Sequence, residues 1–212
     1  MSTKAINLIG AGGQAAVVLD ALLAAGTAPE AIAVWAQDAK AAGGNVLGVP
    51  VRHLAHLDQL AGQGFHICIG DNATRQRLHL ALIAAGSVPV SILHPAAIVS
   101  AHASLGTGSF VAARAILAPR SSVGDGVIVN HGAVVDHDCR LSDFVHVAPG
   151  ATLGGGVQVG DLVLIGAGAN ILPSCRIGSG AIVGAGAVVI CDMPERAVFV
   201  GIPAAPQQPR RS

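Results

Sequence analysis

Residues 122–151 read SVGDGV, IVNHGA, VVDHDC, RLSDFV and HVAPGA. These are five segments of six residues, and the second residue of each segment is aliphatic. The same period continues without a slip over 17 segments, from residue 92 to residue 193, and the second position is Leu, Val or Ile in all of them. The sixth position is Ala, Ser, Cys, Val or Met throughout. A short fixed period of this kind is the signature of a repeat architecture.

A six-residue repeat is typical of a triangular coil. Each segment supplies one short strand and one corner, so three segments complete one turn. The aliphatic second position fills the interior, and glycine permits the backbone angles that corners require. Successive coils stack at the spacing of parallel strands, about 4.8 Å. A chain with 4 Phe, 1 Trp and no Tyr suits an interior this narrow.

Residues 1–91 follow a different pattern, in which short apolar runs alternate with segments of helical spacing. This pattern predicts strands over 5–9, 32–35, 65–69 and 88–93 and helices over 14–25 and 73–85, with Asn72 capping the second helix. Alternation of strands and helices predicts a small parallel sheet, a Rossmann-like βαβ domain. We therefore divide the chain into an α/β domain (1–91), a coil domain (92–193) and a C-terminal extension (194–212).

The charge balance excludes two classes of partner. Lys plus Arg and Asp plus Glu are 12 each, whereas nucleic acids and anionic membranes attract a basic excess. No run of 18 apolar residues is present, so no membrane-spanning helix is predicted. The N-terminal residues lack the apolar region of a signal peptide, and we expect a cytoplasmic protein. Charged residues make up only 11% of the chain, which predicts prism faces buried against other subunits.

The cysteines have no metal-site or disulfide spacing. None forms a CxxC pair, so we expect all four to be buried reduced thiols. They are Cys68, Cys139, Cys175 and Cys191.

An unbroken array of this kind resembles the left-handed parallel β-helix of the hexapeptide-repeat acyltransferases, which are usually trimers. Here it follows a domain that contains GAGGQA at 10–15 and ICIGDN at 67–72, and its centre reads NHGAVVDHDC at 130–139. Together these motifs resemble the bacterial nucleotide-sugar and sialic-acid acetyltransferase family. The likeness is strongest to N-acetyltransferases of the bacillosamine and perosamine pathways, which act on the 4-amino group of UDP- or GDP-linked amino-deoxy sugars. The resemblance implies acetyl-CoA as acyl donor, a nucleotide sugar as acceptor, and a homotrimer with its active site between subunits.

Polar residues concentrate near the centre of the array. His137 occupies the fourth position of its segment and is expected to face outward. A histidine beside a carboxylate suits general-base chemistry. The resemblance implies that His137 deprotonates the sugar amine and that Asp138 strengthens it. One coil further on, Gly155 carries no side chain, which predicts room for a thioester carbonyl and a backbone N–H for the oxyanion.

Other positions match the family in the coenzyme and acceptor sites. The resemblance implies that His146 contacts acetyl-CoA, as do Ala167 and Ala185, which stack because they are three segments apart. Asn130 and His131 are expected to orient the acceptor. Hexapeptide-repeat carbonic anhydrases bind zinc with three histidines, two of them five residues apart. The spacings of six and nine in this chain do not match, and no metal is expected.

The glycine turn at 10–15 fits G-x-G-x-x-A between a strand and a helix. Free N–H groups at a helix N-terminus bind phosphate, so this turn predicts a diphosphate site. The resemblance implies that it holds the nucleotide of the sugar. Four residues match the family's nucleotide contacts, namely Gly12, Gly13, Gln14 and Gly70.

A nicotinamide cofactor is disfavoured, because no acid ends the second strand and Asp38 comes later. The family often has His at the position of Gln14 and an acidic pair near the position of Trp35. Because this sequence differs at both places, whether the sugar is linked to UDP or to GDP stays open. Two other functions are also open: O-acetylation of a sialic-acid-like sugar, and a non-catalytic trimeric scaffold with a nucleotide-sensing head. The scaffold would bind nucleotide without releasing thiol from acetyl-CoA.

Overall fold

The computed structural model describes residues 5–207, in which a six-stranded α/β domain precedes a three-sided prism of stacked coils. The strands of the α/β domain are β1 (Ile6–Ile9), β2 (Ile32–Ala36), β3 (Asn45–Val46), β4 (Val49–His53), β5 (Gly64–Ile67) and β6 (Val88–Pro89). Its helices are α1 (Gly13–Ala24) and α2 (Asn72–Ala84), with short 3-10 turns at Pro29–Ala31, Ala39–Ala41 and Leu57–Leu60. The sheet order is β3-β4-β2-β1-β5-β6, and every pair is parallel except β3–β4.

Most predicted elements of this domain agree with the structure to within two residues at each end. The β3–β4 hairpin was not predicted. The predicted strand over 88–93 is divided, because β6 ends at Pro89 and Ile92–Leu93 opens the prism. In the described part of the chain, no helix has the length and apolar character needed to cross a membrane.

The predicted cap of α2 was wrong. Asp71 caps the helix, because its carboxylate accepts a hydrogen bond from the Thr74 N–H at 2.8 Å. Asn72 is the first residue of α2, and its side-chain amide instead donates to the carbonyls of Leu162 and Val163 at 2.9 and 3.0 Å. Asn72 therefore ties the α/β domain to the prism.

The prism has three faces, which we number in chain order, each a ladder of short parallel strands. The first face contains Ile92–Leu93, Phe110–Val111, Ile128–Val129, His146–Val147, Leu164–Ile165, Ile182–Val183 and Val198–Val200, followed by antiparallel Ala205–Pro206. The second contains Ile98–Val99, Ile116–Leu117, Val134–Val135, Thr152–Leu153, Asn170–Ile171 and Val188–Val189. The third contains Ser104–Leu105, Ser122–Val123, Arg140–Leu141, Gln158–Val159 and Arg176–Ile177.

Paired strands lie three segments apart in the sequence, as in Phe110 with Ile128 and Ile128 with His146. The aliphatic second positions and small sixth positions form one continuous buried core along the prism axis. This arrangement confirms the predicted fold class, an α/β domain followed by a hexapeptide-repeat β-helix. The domain boundaries after residues 91 and 193 stay predictions.

The last coil departs from the regular period. Ile182 pairs with Val198, two positions short of a full coil, and the strand Val198–Val200 extends the first face beyond residue 193. Phe199 and Ala204 are buried and cover the end of the core. Residues 208–212, the end of the predicted extension, lie outside the described residues.

The four cysteines are free thiols, but they are not all buried. Cys139 and Cys175 occupy sixth positions in the prism core, and Cys68 is buried in the α/β domain. Cys191 is exposed, so the prediction of burial was wrong for this residue. It follows the final regular strand at an outer corner, where the side chain points away from the core.

A column of polar side chains runs along the corner between the third and first faces. Each side chain accepts a hydrogen bond from the backbone N–H one coil earlier, over 2.6 to 3.2 Å. The accepting residues are Asp125, Asp143, Asp161 and Ser179. These bonds pair corner N–H groups and reinforce the three-segment register.

A buried arginine joins the two domains. Arg75 on α2 is 1% exposed, and its guanidinium donates to six oxygens. Five are the carbonyls of Ile69, Gly70, Gly126, Phe144 and Val145, and the sixth is Asn72 Oδ1. Burial lowers the pKa of Arg75 to about 10, so the side chain remains charged at neutral pH. The hydrogen bonds offset the desolvation of this charge and fix the loop before α2 against the prism.

We expect acid to destabilise the fold through His66. This side chain is 1% exposed, bonds Val90 O through Nδ1 at 2.9 Å, and has a pKa that burial lowers from 6.5 to about 4. The contribution of the neutral His66 ring to the free energy of unfolding is therefore complete above pH 6.5. It decreases by about 3 kcal/mol as the pH falls towards 4. Urea unfolding between pH 7 and 4.5 should show a shallower pH dependence for His66→Gln than for the wild type. The exposed His53→Gln is the control, and equal slopes for all three proteins would contradict this assignment.

Candidate active site

His137 and Asp138 lie at the corner between the second and third faces. Their side chains are 56% and 43% exposed, and His137 Nδ1 is 2.7 Å from Asp138 Oδ2. The carboxylate accepts from Nδ1–H, which leaves the lone pair on Nε2. Nε2 has no hydrogen-bond partner among residues 5–207. The backbone N–H of His137 is held by Asp136 Oδ1 at 2.7 Å, which fixes the turn that presents the ring.

Gly155 lies directly beneath the His137 ring. A Cβ at Gly155 would lie 2.5 Å from both Cε1 and Nε2 of the imidazole. The sequence reasoning assigned this space to a thioester carbonyl, but the structure fills it with the imidazole itself. Glycine is needed here because any side chain would displace the ring. The Gly155 N–H has no acceptor in the described part of the chain and remains available beside the base.

Arg120 extends this pair to three residues and was not predicted. Its Nε and Nη2 donate to the two carboxylate oxygens of Asp138, each at 2.7 Å. The hydrogen bonds from Arg120 and then from His137 hold the pKa of Asp138 well below its usual range. The spacing of one full coil between Arg120 and Asp138 is the sequence signal that could have revealed this contact.

The corner between the first and second faces carries the residues assigned to the coenzyme. Ala167 and Ala185 are exposed there, and neither N–H has an acceptor within residues 5–207. His131 occupies the same corner position two coils before Ala167 and is exposed. This corner therefore offers a strip of small side chains and free N–H donors along the prism axis.

His146 lies on the first face and contacts the α/β domain. Its Nδ1 is 3.3 Å from the Gly70 carbonyl and its Nε2 is 3.2 Å from the amide nitrogen of Asn130. Burial lowers the pKa of His146 to about 4, so the ring is neutral at physiological pH. Nδ1 then donates to Gly70 and Nε2 accepts from Asn130. Asn130 also accepts from the N–H of His131 at 2.9 Å.

The predicted site residues thus form separate groups within one chain. His137, Asp138 and Gly155 lie at one edge of the second face. The opposite edge carries Asn130, His131, Ala167 and Ala185, with His146 and Gly70 beside them. The second face separates the two groups.

The glycine turn begins with the residue that needs to be glycine. Gly10 has φ +118°, and a Cβ there would lie 2.7 Å from the Cys68 carbonyl oxygen. A Cβ added at Gly12 or Gly13 would have no other atom within 4 Å, so the space beside these residues is open. Gly12 has φ −91°, an angle that any residue can adopt. Their N–H groups, with that of Gln14, have no acceptor among the described residues. The start of α1 therefore presents free donors to an anion.

Beside this turn lies a cleft of about 390 Å³, lined by Gly10, Gly12, Gln37, Asp38 and Ile69 among others. The sequence reasoning found no acid at the end of β2, but Asp38, two residues beyond it, lines the cleft. Asp38 Oδ1 accepts from the Lys40 N–H at 2.9 Å. Gln14 Nε2 is buried without a hydrogen-bond partner in the described chain, which is unusual unless a ligand supplies one.

The chemistry available at His137 is proton abstraction next to a free amide donor. An amine that attacks a thioester requires both a base for its proton and a donor for the developing oxyanion. No group of three or more His, Cys, Asp or Glu side chains within residues 5–207 is arranged to hold a metal ion.

Known families and structures match both domains. Residues 5–82 match the PglD N-terminal domain, and residues 156–191 match the bacterial transferase hexapeptide family of six repeats. A mutant of perosamine N-acetyltransferase from Caulobacter crescentus, solved with CoA and GDP-perosamine, is 38% identical over 97% of each chain, with a TM-score of 0.90. The chain belongs to the hexapeptide-repeat nucleotide-sugar acetyltransferase family. It is an acyltransferase of the acetyl-CoA-dependent class.

Two further solved structures are similar to this chain over nearly its whole length. The acetyltransferase domain of PglB from Neisseria gonorrhoeae FA1090, solved with acetyl coenzyme A, is 38% identical over 96% of this chain and 99% of its own, with a TM-score of 0.90. WeeI from Acinetobacter baumannii AYE is 27% identical over 96% and 100% of the two chains, with a TM-score of 0.87. Among curated proteins no match was found.

We expect Gly155→Ala to disable the site without unfolding the prism. The added methyl group would displace the His137 ring, and a displacement of about 1 Å costs roughly 10²-fold in turnover. Acetyl-CoA consumption and the melting temperature should be measured together. Gly44→Ala is the matched control, because its Cβ would make only an ordinary contact, 3.5 Å from Ala41 O. Wild-type turnover by folded Gly155→Ala would contradict the proposed packing of ring on glycine.

Proposed function

We propose that this chain transfers the acetyl group of acetyl-CoA to an amino group, at C4, of a nucleotide-linked amino-deoxy sugar. The observation that carries the proposal is the His137 imidazole, bonded to Asp138 through Nδ1 and lying over Gly155 with Nε2 free. The solved relatives bind CoA with GDP-perosamine, or acetyl coenzyme A, which supports the same pair of substrates here.

The proposed reaction is direct aminolysis within a ternary complex. The sugar amine nitrogen attacks the thioester carbonyl carbon, and His137 Nε2 takes the proton that the amine loses. Asp138 stabilises the resulting imidazolium, and the Gly155 N–H donates to the oxyanion. Collapse of the tetrahedral intermediate breaks the C–S bond, and the coenzyme leaves as its thiol by accepting the proton that His137 holds, which returns the imidazole to its neutral form. No cysteine is needed as an acyl carrier, because the amine forms the new C–N bond itself.

The acceptor's nucleotide would lie in the α/β domain. The free N–H groups of Gly12, Gly13 and Gln14 suit a diphosphate, and the partnerless Gln14 amide suits a ligand oxygen. Asp38 and Gln37 line the adjoining cleft and offer an acceptor and an amide to a base or ribose. Both UDP and GDP sugars are compatible with these groups.

We infer a homotrimer from the second face. Its outward side chains are uncharged along the whole prism, namely Ile98, Ile116, Val134, Thr152, Asn170 and Val188, and Ile98 is 62% exposed. By contrast, the α/β domain covers part of the first face, and the third face carries two arginines. Packing the second faces around a threefold axis would bury this uncharged and largely apolar surface. It would also bring the His137 corner of one subunit beside the Ala167 corner of the next.

His137→Ala tests the proposed base. Loss of a general base lowers turnover by about 10² to 10⁴, so we expect a loss in this range with an unchanged acetyl-CoA Kd. Products from UDP- and GDP-linked amino sugars should be identified by mass spectrometry, which also distinguishes N- from O-acetylation. His53→Gln is a control for loss of an exposed imidazole outside the His137 corner. A folded His137→Ala protein with near wild-type turnover would remove His137 from the mechanism. A wild-type protein that binds nucleotide but transfers no acetyl group would instead favour the non-catalytic scaffold.

Heterotrimers test the shared site. His137→Ala and Ala167→Trp inactivate opposite corners, so each homotrimer should be inactive. A mixed trimer places one intact His137 corner beside one intact Ala167 corner, so about one third of the wild-type activity should return. The two variants can be co-expressed with different tags and purified through both. Mixed trimers no more active than their parents would show that each subunit works alone.

A further inference from the structure

Arg120 is the one member of the His137 group for which the proposed reaction has no use. It lies one coil before Asp138 at the same corner, and its Nε and Nη2 bind both carboxylate oxygens at 2.7 Å. Asp138 Oδ2 also accepts from His137 Nδ1 at 2.7 Å. Guanidinium, carboxylate and imidazole therefore form one continuous hydrogen-bonded chain.

We propose that Arg120 is a positioning residue for the catalytic base. It fixes the Asp138 carboxylate in the orientation that holds His137 Nδ1–H, and so directs Nε2 over Gly155. This inference rests on the proposed function, in which His137 accepts the proton of the amine.

Fold stability gives little reason for this ion pair. The Arg120 and Asp138 side chains are 67% and 43% exposed, so water screens the attraction between the two charges. Both residues have left-handed backbone angles, but so do Phe144, Leu162 and Ser174 at the same position of their segments, so the backbone conformation does not set this pair apart.

Arg120 also sets the charge that faces the imidazole. The charged groups nearest to His137 are Asp138, bonded to its ring, Asp136, bonded to its backbone N–H, and Arg120 behind Asp138. From the next coil, Gly155 presents only backbone to the ring. Loss of Arg120 should therefore have two separable effects. The carboxylate loses its fixed orientation, which slows turnover, and its uncompensated charge favours the protonated imidazole, which moves the acidic limb of the pH–rate profile upward.

The first experiment measures kcat/KM against pH for Arg120→Met in the full chain. We expect the plateau to fall about tenfold, less than for a full 1 Å displacement of the base. The acidic limb should move to higher pH, and the acetyl-CoA Kd should not change. Arg120→Lys keeps the positive charge but not the two-point contact with Asp138. The plateau of its kcat/KM profile should therefore fall, while the acidic limb stays at nearly the wild-type pH. The matched control is Arg196→Met, an exposed corner arginine with φ 57°.

The second experiment asks whether Arg120 acts through Asp138. Asp138→Asn should move the acidic limb downward, and adding Arg120→Met to that variant should have no further effect. Independent, multiplicative losses in the double variant would overturn the proposal.

The third measurement separates this proposal from the proposed function. Nitrogen NMR of the His137 ring in the unliganded protein reports its tautomer and titration midpoint without any turnover. We expect Nδ1 to be protonated in the wild type and the midpoint to rise in Arg120→Met. A His137 titration that does not respond to Arg120→Met overturns the positioning role, whatever the activity. Activity retained by His137→Ala overturns the proposed function instead.

Discussion

The three-segment register of the prism is the constraint on which the rest of the structure depends. Each strand is anchored by an aliphatic side chain that points inward, so a slip of one residue would expose the core. With the register fixed, every corner residue has its neighbour one coil away, at about 4.8 Å along the axis. This stacking lays the His137 ring on Gly155 and brings Arg120 to Asp138. The candidate base is thus assembled by the period of the sequence rather than by a flexible loop.

The α/β domain is held to this scaffold by a different interaction. Arg75 inserts a charge between the domains and satisfies it with carbonyl oxygens and the Asn72 amide oxygen, with no carboxylate among its partners in the described chain. Because those carbonyls belong both to the loop with Gly70 and to the coil before His146, one side chain sets the distance between them. The Gly70–His146–Asn130 hydrogen bonds then continue from the α/β domain to the edge of the second face.

The sequence was sufficient for the architecture because its signals are periodic. Seventeen aliphatic positions determine the coils, and alternating strands and helices determine the α/β sheet. The predictions were wrong or incomplete where the outcome depends on which of several possible partners a single side chain contacts. Asn72 had a suitable chemistry for capping, but Asp71 reaches the Thr74 N–H and frees Asn72 to bind the prism. Gly155 was expected to leave an empty space, which the imidazole fills, because ring orientation depends on a rotamer that spacing does not specify. The Arg120–Asp138 contact was missed although the two residues are one coil apart, because that spacing places them at one corner without specifying where their side chains point.

The polar column of Asp125, Asp143, Asp161 and Ser179 has a consequence for how such a prism changes over evolutionary time. Each member contacts only its neighbours one coil away, and the contact is nearly the same at every level. A duplication or deletion of one whole coil would therefore preserve every bond of the column while lengthening or shortening the prism by about 4.8 Å. Gene rearrangements that add or remove the coding length of whole coils would be tolerated, whereas other lengths would break the register. The length of the prism on either side of the His137 corner is thus adjustable in steps of one coil, without redesign of that corner.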